Sequence, residues 1–364
     1  MSMLAGQVSR ALSLARTNRT RKSADIRNHV LLQPADATNF YVVCSDDTTE
    51  TQIKVAGVLA SGMAIAPEFC DLVQTLAEDV QIKMTDSGKS SVKIQTGKSR
   101  FTLPTAAAQD FPRFQAEDSK ATTTIEVDSA VFGKALSLVK CGMGKPDPSK
   151  PFTHGILLSV RKGALFMVGS NGQKMTVAAI TARISEGQEN SGVLPEMAIT
   201  QLERLAATSG AELMSLTLVL GERQLAASLG NAVVKTRLVA CQYPDWGKVT
   251  TTKVQGTIEV SRTAVLNVIK RVGLFVSDKS PAVSLVAAEG KLHVSCKTEQ
   301  GECTESLDID TSQALSANVN ITFLASLLES MPTDKVNMDF GAILRVRAAS
   351  GSINSLAIAA LYRL

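Results

Sequence analysis

A short amphipathic segment that occurs three times decides the fold. Its copies read Pro67-Glu68-Phe69-Cys70-Asp71-Leu72-Val73-Gln74-Thr75-Leu76, Ala198-Ile199-Thr200-Gln201-Leu202-Glu203-Arg204-Leu205 and Thr322-Phe323-Leu324-Ala325-Ser326-Leu327-Leu328-Glu329. In each copy apolar residues recur at i, i+3 or i+4, which predicts a short helix with one buried face. A strand-like run follows each copy, and then a hairpin that turns at Gly97, Gly230 or Gly351. Self-similarity at a fixed spacing indicates a repeat of about 120–130 residues.

Two further landmarks keep this spacing. Ile125-Glu126-Val127 recurs as Ile258-Glu259-Val260, and Asp110-Phe111-Pro112 recurs as Gln242-Tyr243-Pro244-Asp245. We therefore predict three domains, 1–120, 121–253 and 254–364. Within each, the order is strand, helix, three strands, strand, helix, three strands. Two helices packed on antiparallel sheets define an α+β class. In the first copy, Met1-Ser2-Met3 leaves little room for an opening strand before the helix predicted over Leu4–Ala15.

Composition narrows the class of protein. The chain has 364 residues, of which 45% are hydrophobic and 20% charged, as in a folded globular protein. No run approaches the ~18 apolar residues of a membrane span, so we expect a soluble protein. Six dispersed cysteines include no C-x-x-C pair, which disfavours zinc binding and a disulfide framework and favours a reducing compartment, the cytoplasm. We predict no metal and no cofactor.

No catalytic constellation stands out. In Leu307-Asp308-Ile309-Asp310 two carboxylates share one strand face, where they could hold a metal or exchange protons. A solvated strand face explains them more simply. A repeat protein without a convergent set of His, Cys and carboxylates is more typical of a binding or assembly device than of an enzyme. A metal-dependent enzyme using Asp308 and Asp310 remains the alternative.

Positive charge is concentrated near the N-terminus. Residues 10–28 carry six basic side chains and a single acid, Asp25. Such a cluster can face phosphates, act as a transit peptide or form a solvated loop. Composition alone leaves these readings open, and a simple basic nucleic-acid-binding protein is a second alternative function.

Four segments, in register with the repeat, carry a family resemblance. The run Gly97-Lys98-Ser99-Arg100-Phe101-Thr102-Leu103-Pro104, followed by Asp110-Phe111-Pro112, is similar to the first-domain signature of the bacterial DNA polymerase III beta subunits, the sliding clamps. Ser170-Asn171-Gly172-Gln173-Lys174-Met175 resembles their Thr-Asp-Gly-His-Arg-Leu segment. Tyr243-Pro244-Asp245-Trp246 resembles Phe-Pro-Asp-Tyr, and the terminal Tyr362-Arg363-Leu364 resembles Met-Arg-Leu. Gln173-Lys174 in place of His-Arg marks a divergent member.

The resemblance implies a homodimeric ring with helices inside and sheets outside. Such a ring is placed on duplex DNA by a clamp loader, slides along it, and tethers the replicative polymerase and other factors without doing chemistry. Residues 4–15 would then form a pore helix, which weakens the transit-peptide reading. The family has a DNA-contacting arginine after that helix, and Arg21 is the best match here.

The resemblance also implies three sets of site residues. For DNA they are Arg10, Arg16, Arg19, Arg21, Lys22, Lys145 and Lys150. For the contact between protomers they are Lys98, Arg100, Phe101 and Leu103 on one edge, and Leu274, Phe275, Glu299, Glu302 and Glu305 on the other. For a groove that receives a partner peptide they are Ser170, Gly172, Gln173, Lys174, Met175, Pro244, Lys248, Val249, Asn320, Phe323, Leu361, Tyr362, Arg363 and Leu364.

Overall fold

The computed structural model describes residues 2–15, 25–46, 48–88, 90–116, 122–185, 189–208, 214–277, 281–299 and 301–362. Short helices alternate with groups of strands along the chain. The hairpins along the chain pair their strands antiparallel, as expected of an α+β protein whose sheets are built from hairpins. No helix in this part is long and apolar enough to cross a membrane.

The first third of the chain has the predicted order of elements. These are β1 (Ser2–Leu4), α1 (Ala5–Ala15), β2 (Val30–Pro34), β3 (Asn39–Ser45), β4 (Thr49–Val58), β5 (Met63–Ile65), α2 (Glu68–Gln74), β6 (Gln81–Asp86), β7 (Ser91–Thr96) and β8 (Ser99–Ala107). The opening strand does form: its three residues pair with β6, and Ser2 and Met3 also pair with the end of β4.

The middle third repeats this order with one extra short strand. Its elements are β9 (Thr123–Asp128), α3 (Ser129–Lys140), β10 (Gly155–Arg161), β11 (Ala164–Ser170), β12 (Lys174–Ile180), β13 (Arg183–Ile184), β14 (Ser191–Pro195), α4 (Glu196–Ala207), β15 (Ser215–Leu220), β16 (Gln224–Leu229) and β17 (Ala232–Arg237).

The last third adds a short helix before the repeat begins again. Its elements are α5 (Trp246–Thr250), β18 (Val254–Ser261), α6 (Arg262–Val272), β19 (Ala282–Ala288), β20 (Lys291–Thr298), β21 (Gly301–Asp308), β22 (Leu315–Asn320), α7 (Ile321–Ser330), β23 (Lys335–Gly341), β24 (Ile343–Ser350) and β25 (Ile353–Ala360). The three predicted hairpin glycines, Gly97, Gly230 and Gly351, have φ of +60°, +57° and +55°, which glycine adopts without a steric cost.

By contacts the chain divides into two compact units. Unit 1 comprises Met1–Ala130 and Met197–Leu238, and unit 2 comprises Val131–Glu196 and Val239–Leu364. In unit 1 the strands follow the order β1-β6-β7-β8-β5-β2-β3-β4-β17-β16-β15-β9. Unit 2 holds an eight-stranded sheet, β14-β10-β11-β12-β25-β24-β23-β18, and a four-stranded sheet, β21-β20-β19-β22. The division into 1–120, 121–253 and 254–364 stays a prediction.

Each unit contains a strand pair that joins two successive copies of the repeat. In unit 1, β4 pairs with β17, beginning at Thr49 opposite Thr236. In unit 2, β12 pairs with β25, beginning at Lys174 opposite Ala359. The start of β4 and the start of β12 are therefore equivalent places in the repeat.

Candidate binding surfaces

The predicted groove residues Ser170–Lys174 form a tight turn between β11 and β12 in unit 2. The Asn171 Oδ1 atom accepts hydrogen bonds from the backbone N–H groups of Gln173 and Lys174, at 2.9 and 2.7 Å. Gly172 has a φ of +88°, a left-handed conformation that favours glycine. Gly172 and Gln173 are exposed at the tip. These hydrogen bonds fix the backbone of the turn, and Lys174 follows the turn as the first residue of β12.

Lys174 links this turn to α7. Its Nζ atom donates to the Ser326 hydroxyl at 3.1 Å and lies 5.7 Å from the centre of the Phe323 ring. Burial lowers the pKa of the Lys174 ammonium, and the nearby Cys141 side chain acts on it in the opposite direction. The described residues place no carboxylate within ion-pair distance of this ammonium. Lys174 is therefore a partly desolvated cation without an acidic partner there.

The chain end runs beside α7. Leu361 forms a β-bridge with Val319, and the Tyr362 N–H donates to the Asn318 carbonyl at 2.7 Å. Asn320 caps α7: its side-chain oxygen accepts from the backbone N–H groups of the helix's second and third residues, at 2.9 and 3.2 Å. Predicted groove residues from the β11–β12 turn, α7 and the chain end thus lie in one unit. Arg363 and Leu364 lie outside the described residues.

The remaining groove residues lie around α5. Pro244, Lys248 and Val249 are exposed, while Trp246 is buried in a cluster that also holds Met175. Arg161 stacks over the Trp246 ring at 5.0 Å, which fixes the indole. Met175 is only 6% exposed, so it packs beneath the turn and presents little surface to a ligand.

The two predicted protomer edges are open strand edges. In unit 1, β7 pairs along one side of β8 from Ser99 to Pro104, and β5 takes the other side only from Thr105 to Ala107. In unit 2, β21 is the last strand of its sheet. In the described part of the chain, both edges therefore carry backbone groups without a neighbouring strand, as edges that receive another chain do.

Exposed apolar side chains accompany these edges. Phe101 on β8 is 36% exposed, although it lies opposite the buried Ile94. Beside β21, Leu274 is 78% exposed and Phe275 is 37% exposed. Large apolar groups exposed together at a sheet edge are typical of a contact surface.

The charges of the two edges are opposite. Lys98 and Arg100 are exposed on the β8 side, and Glu299 and Glu302 are exposed on the β21 side. Glu305 is half-buried and paired with Arg271 of α6, whose guanidinium holds the pKa of this carboxyl below its usual value. Leu103 is half-buried.

Of the predicted DNA-contacting residues, Arg10, Lys145 and Lys150 are described and exposed. Lys145 and Lys150 lie in unit 2, in the loop after α3. Arg10 lies on α1 of unit 1, paired with Glu78 at 2.8 Å. Arg16, Arg19, Arg21 and Lys22 lie outside the described residues.

Arg10 lines a cavity of about 820 Å³ between α1, β4 and α4 in unit 1. Lys54 and Arg204 also line this cavity, and neither basic residue was predicted from the sequence. Arg204 lies in the second copy of the repeated helix, so the repeat could have identified it. Lys54 is a single lysine in a strand, paired with Asp36 at 2.9 Å, and carries no sequence signal.

Asp308 and Asp310, the carboxylates of the enzyme alternative, are both exposed at and beyond the end of β21. In the described ranges, no cluster of three or more His, Cys, Asp and Glu side chains could hold a metal ion.

Comparison with known proteins gives consistent matches along the chain. Models of the DNA polymerase III beta subunit match it twice: the central domain over residues 126–245 and the C-terminal domain over residues 248–350. The beta sliding clamp of Haemophilus influenzae is 24% identical over 87% of this chain and 86% of its own length. That of Escherichia coli is 23% identical over the same shares.

Solved structures agree with this fold. A Pseudomonas aeruginosa DnaN sliding clamp, crystallised with griselimycin bound, superposes with a TM-score of 0.91 over 100% of this chain and 99% of that chain, at 20% identity. The Thermotoga maritima DNA polymerase III beta subunit gives a TM-score of 0.85 at 19% identity, again over 100% and 99%.

The fold thus places the chain in the DNA-clamp class of proteins. The two matched models together span well over half of the chain, and it belongs to the bacterial DNA polymerase III beta subunit family, the beta sliding clamps, as a divergent member. The α+β class and the resemblance carried by the four sequence segments are confirmed.

Proposed function

We propose that two copies of this chain close head-to-tail into a ring that encircles duplex DNA and acts as a processivity factor. One observation supports this most directly: the same chain has two unlike open edges of opposite charge. Two β8 edges meeting about a two-fold axis would bring positive charges together, and two β21 edges would bring negative charges together, so a closed assembly is favoured when edge β8 of one protomer meets edge β21 of its partner by rotation. Opposite charges at the rims favour this register over the alternatives.

The apolar centre of that contact would come from Phe101 and Leu103 on β8, and from Leu274 and Phe275 beside β21. Lys98 and Arg100 would face Glu299, Glu302 and Glu305 of the partner. Such an interface has an apolar core and a charged rim, as protein interfaces generally do. Both strands would gain backbone hydrogen bonds that they lack within one chain.

Duplex DNA would be held by charge alone. The exposed basic residues include Arg10, Lys145 and Lys150, and a ring that slides must avoid base readout and rely on phosphate contacts. The basic N-terminal segment with Arg21 adds to this charge. The chain itself would catalyse no reaction and need no cofactor.

The replicative polymerase, the clamp loader and other factors would bind through a short linear peptide. The groove proposed for this peptide combines the β11–β12 turn, α7 and the chain end. The resemblance to the sliding clamps implies a peptide with a Gln and a Leu-Phe anchor, and Phe323, Leu361 and Val249 would offer it apolar surface beside polar groups such as Asn320. We place this function in the cytoplasm, in a chain of three domains, 1–120, 121–253 and 254–364.

Two measurements test the proposal. Light scattering of the purified chain should give a mass near twice 38.6 kDa. After loading by a clamp loader, the protein should remain on nicked circular DNA and leave the same DNA once it is cut to a linear form. A monomeric mass, or equal retention on both DNA forms, would instead support a basic protein that binds DNA without a ring.

A further inference from the structure

We propose that Cys296 and Cys303 form a redox-active pair, which a hydroperoxide such as hydrogen peroxide converts into a disulfide across the β20–β21 hairpin. The pair lies at the strand edge that is proposed to meet the partner protomer. The inference goes beyond the proposed function, because this disulfide can form within one chain whether or not a ring closes. It assigns a modification site to two thiols that are free in this structure.

The strand register places the two cysteines directly opposite each other. β20 and β21 are antiparallel, and Cys296 is the partner of Cys303 in their ladder. Directly opposed Cα atoms in such a ladder lie about 4.5 or 5.5 Å apart, and a disulfide spans about 4.4–6.8 Å between its Cα atoms. The strands therefore need no change of register to form the bond.

The two cysteine side chains also lie on the same face of the sheet. Cys296 belongs to the buried core cluster of unit 2, and Cys303 packs against that cluster. The next pair along the hairpin, Lys297 and Glu302, points to the opposite face, and its Nζ and carboxylate oxygen approach to 3.7 Å. Opposed side chains thus reach each other across these two strands.

Different burial gives the two thiols different roles. Cys303 is half-buried on the edge strand, so a small hydroperoxide reaches it first. Cys296 is only 6% exposed, and its thiol donates to the Val272 carbonyl at 3.8 Å. Burial raises the pKa of the Cys296 thiol, and the adjacent Cys303 side chain acts in the same direction. Cys296 is therefore shielded from the oxidant and placed to react with its neighbour.

Two steps form the disulfide. The Cys303 thiolate attacks one peroxide oxygen and the O–O bond breaks. The other oxygen leaves as water with the proton that the thiol gave up, and Cys303 becomes a sulfenic acid. The Cys296 sulfur then attacks the Cys303 sulfur, the S–O bond breaks, and the hydroxyl group leaves as water with the proton of the Cys296 thiol. Two thiols lose two hydrogen atoms, and one hydrogen peroxide becomes two water molecules.

A disulfide at this place stabilises the edge strand. In the described part of its sheet, β21 pairs with β20 alone, so a single ladder holds it. A covalent bond between the two strands removes states in which β21 separates from β20. We therefore expect oxidation to slow hydrogen exchange in β21 and to leave the edge in place for a partner.

The experiment treats the folded, full-length chain with limiting hydrogen peroxide. Iodoacetamide then blocks the remaining thiols, and the peptides are mapped by mass spectrometry without reduction. We expect a disulfide between Cys296 and Cys303 before any other cysteine is oxidised, with two of the six thiols lost and both restored by dithiothreitol. A Cys303 sulfinic acid beside a reduced Cys296 overturns the pair.

Three variants assign the chemistry to these thiols. Cys296→Ser should leave Cys303 as a sulfenic acid that dimedone traps, and Cys303→Ser should leave Cys296 reduced at the same peroxide dose. Cys141→Ser is the matched control, because Cys141 packs against the same core cluster and should have no effect on the disulfide. A bond from Cys141 to either cysteine in the unmodified chain contradicts the proposed pairing.

Light scattering and hydrogen exchange separate this inference from the proposed function. A dimer in both redox states, with slower exchange in β21 after oxidation, supports the ring and the pair. A chain that is monomeric in both states and still forms the disulfide rejects the ring and supports the pair. A dimer that dissociates on oxidation overturns the inference that the bond forms without moving the edge.

Discussion

Glu50 holds the Arg113 guanidinium by two parallel hydrogen bonds, from Nε at 2.8 Å and from Nη2 at 3.0 Å. The same carboxylate accepts from the backbone N–H of Phe114 at 2.9 Å. Glu50 is only 1% exposed, whereas the Arg113 side chain is 32% exposed. A buried carboxylate at the start of β4 thus anchors the segment that leaves the first copy of the repeat.

The equivalent place in the second copy has a different chemistry. Glu50 is the second residue of β4, and Met175 is the second residue of β12. Met175 belongs to the apolar cluster that buries Trp246, where Glu50 forms an ion pair. The two copies therefore share this strand geometry. In the first copy an ion pair occupies the position, and in the second copy apolar side chains occupy it. In unit 2 this place lies beneath the turn that we propose as part of the peptide groove.

Replacing Glu50 by Ala should lower the free energy of unfolding by about 1–3 kcal/mol, because a buried ion pair loses one partner while Arg113 can still reach water. Urea unfolding followed by circular dichroism measures this change. Glu78→Gln is the control, since it removes an ion pair whose two side chains are both 75% exposed, and should leave the midpoint unchanged. Equal effects of the two variants would contradict the anchoring role.

The order of elements was predictable because periodicity and turn glycines are local. The predicted helix over Leu4–Ala15 forms as Ala5–Ala15, and the segment 198–205 lies within α4. The ion pair of Glu50 with Arg113 was not predictable, because the two residues are 63 positions apart and neither carries a motif. Met175, which was predicted to line the groove, is buried beneath the β11–β12 turn, because a strand residue faces a side that only the folded sheet defines.

A charge on the β8 edge should separate the protomers. Phe101→Asp places a carboxylate in the proposed apolar centre, opposite a partner edge that is itself acidic. We expect a monomer by light scattering at micromolar concentration. Thr102→Asp adds the same charge one residue away, where the side chain lies opposite exposed Lys93 on the other face, and should remain dimeric. Dissociation of both variants would point to damage to the strand instead of loss of the contact.

Removing Lys145 and Lys150 should weaken DNA binding equally on all sequences. Each phosphate contact contributes about one unit to the slope of log affinity against log salt, so Lys145→Gln with Lys150→Gln should lower the slope by up to ~2 units. Fluorescence anisotropy on two unrelated duplexes measures it. Lys83→Gln with Lys93→Gln removes the same charge from exposed strand positions and should leave the slope unaltered. A changed preference between the duplexes would argue against a sequence-independent contact.

The groove should lose affinity when its aromatic side chain is shortened. Phe323→Ala removes apolar area beside Lys174, and should weaken binding of a Gln/Leu-Phe peptide by about 1–3 kcal/mol while the dimer remains intact. The single tryptophan, Trp246, lies in the cluster beneath the turn, and its fluorescence is a second reporter beside calorimetry. Val286→Ala shortens an exposed apolar residue on the four-stranded sheet and should not alter peptide affinity. Unchanged affinity in Phe323→Ala would remove α7 from the groove.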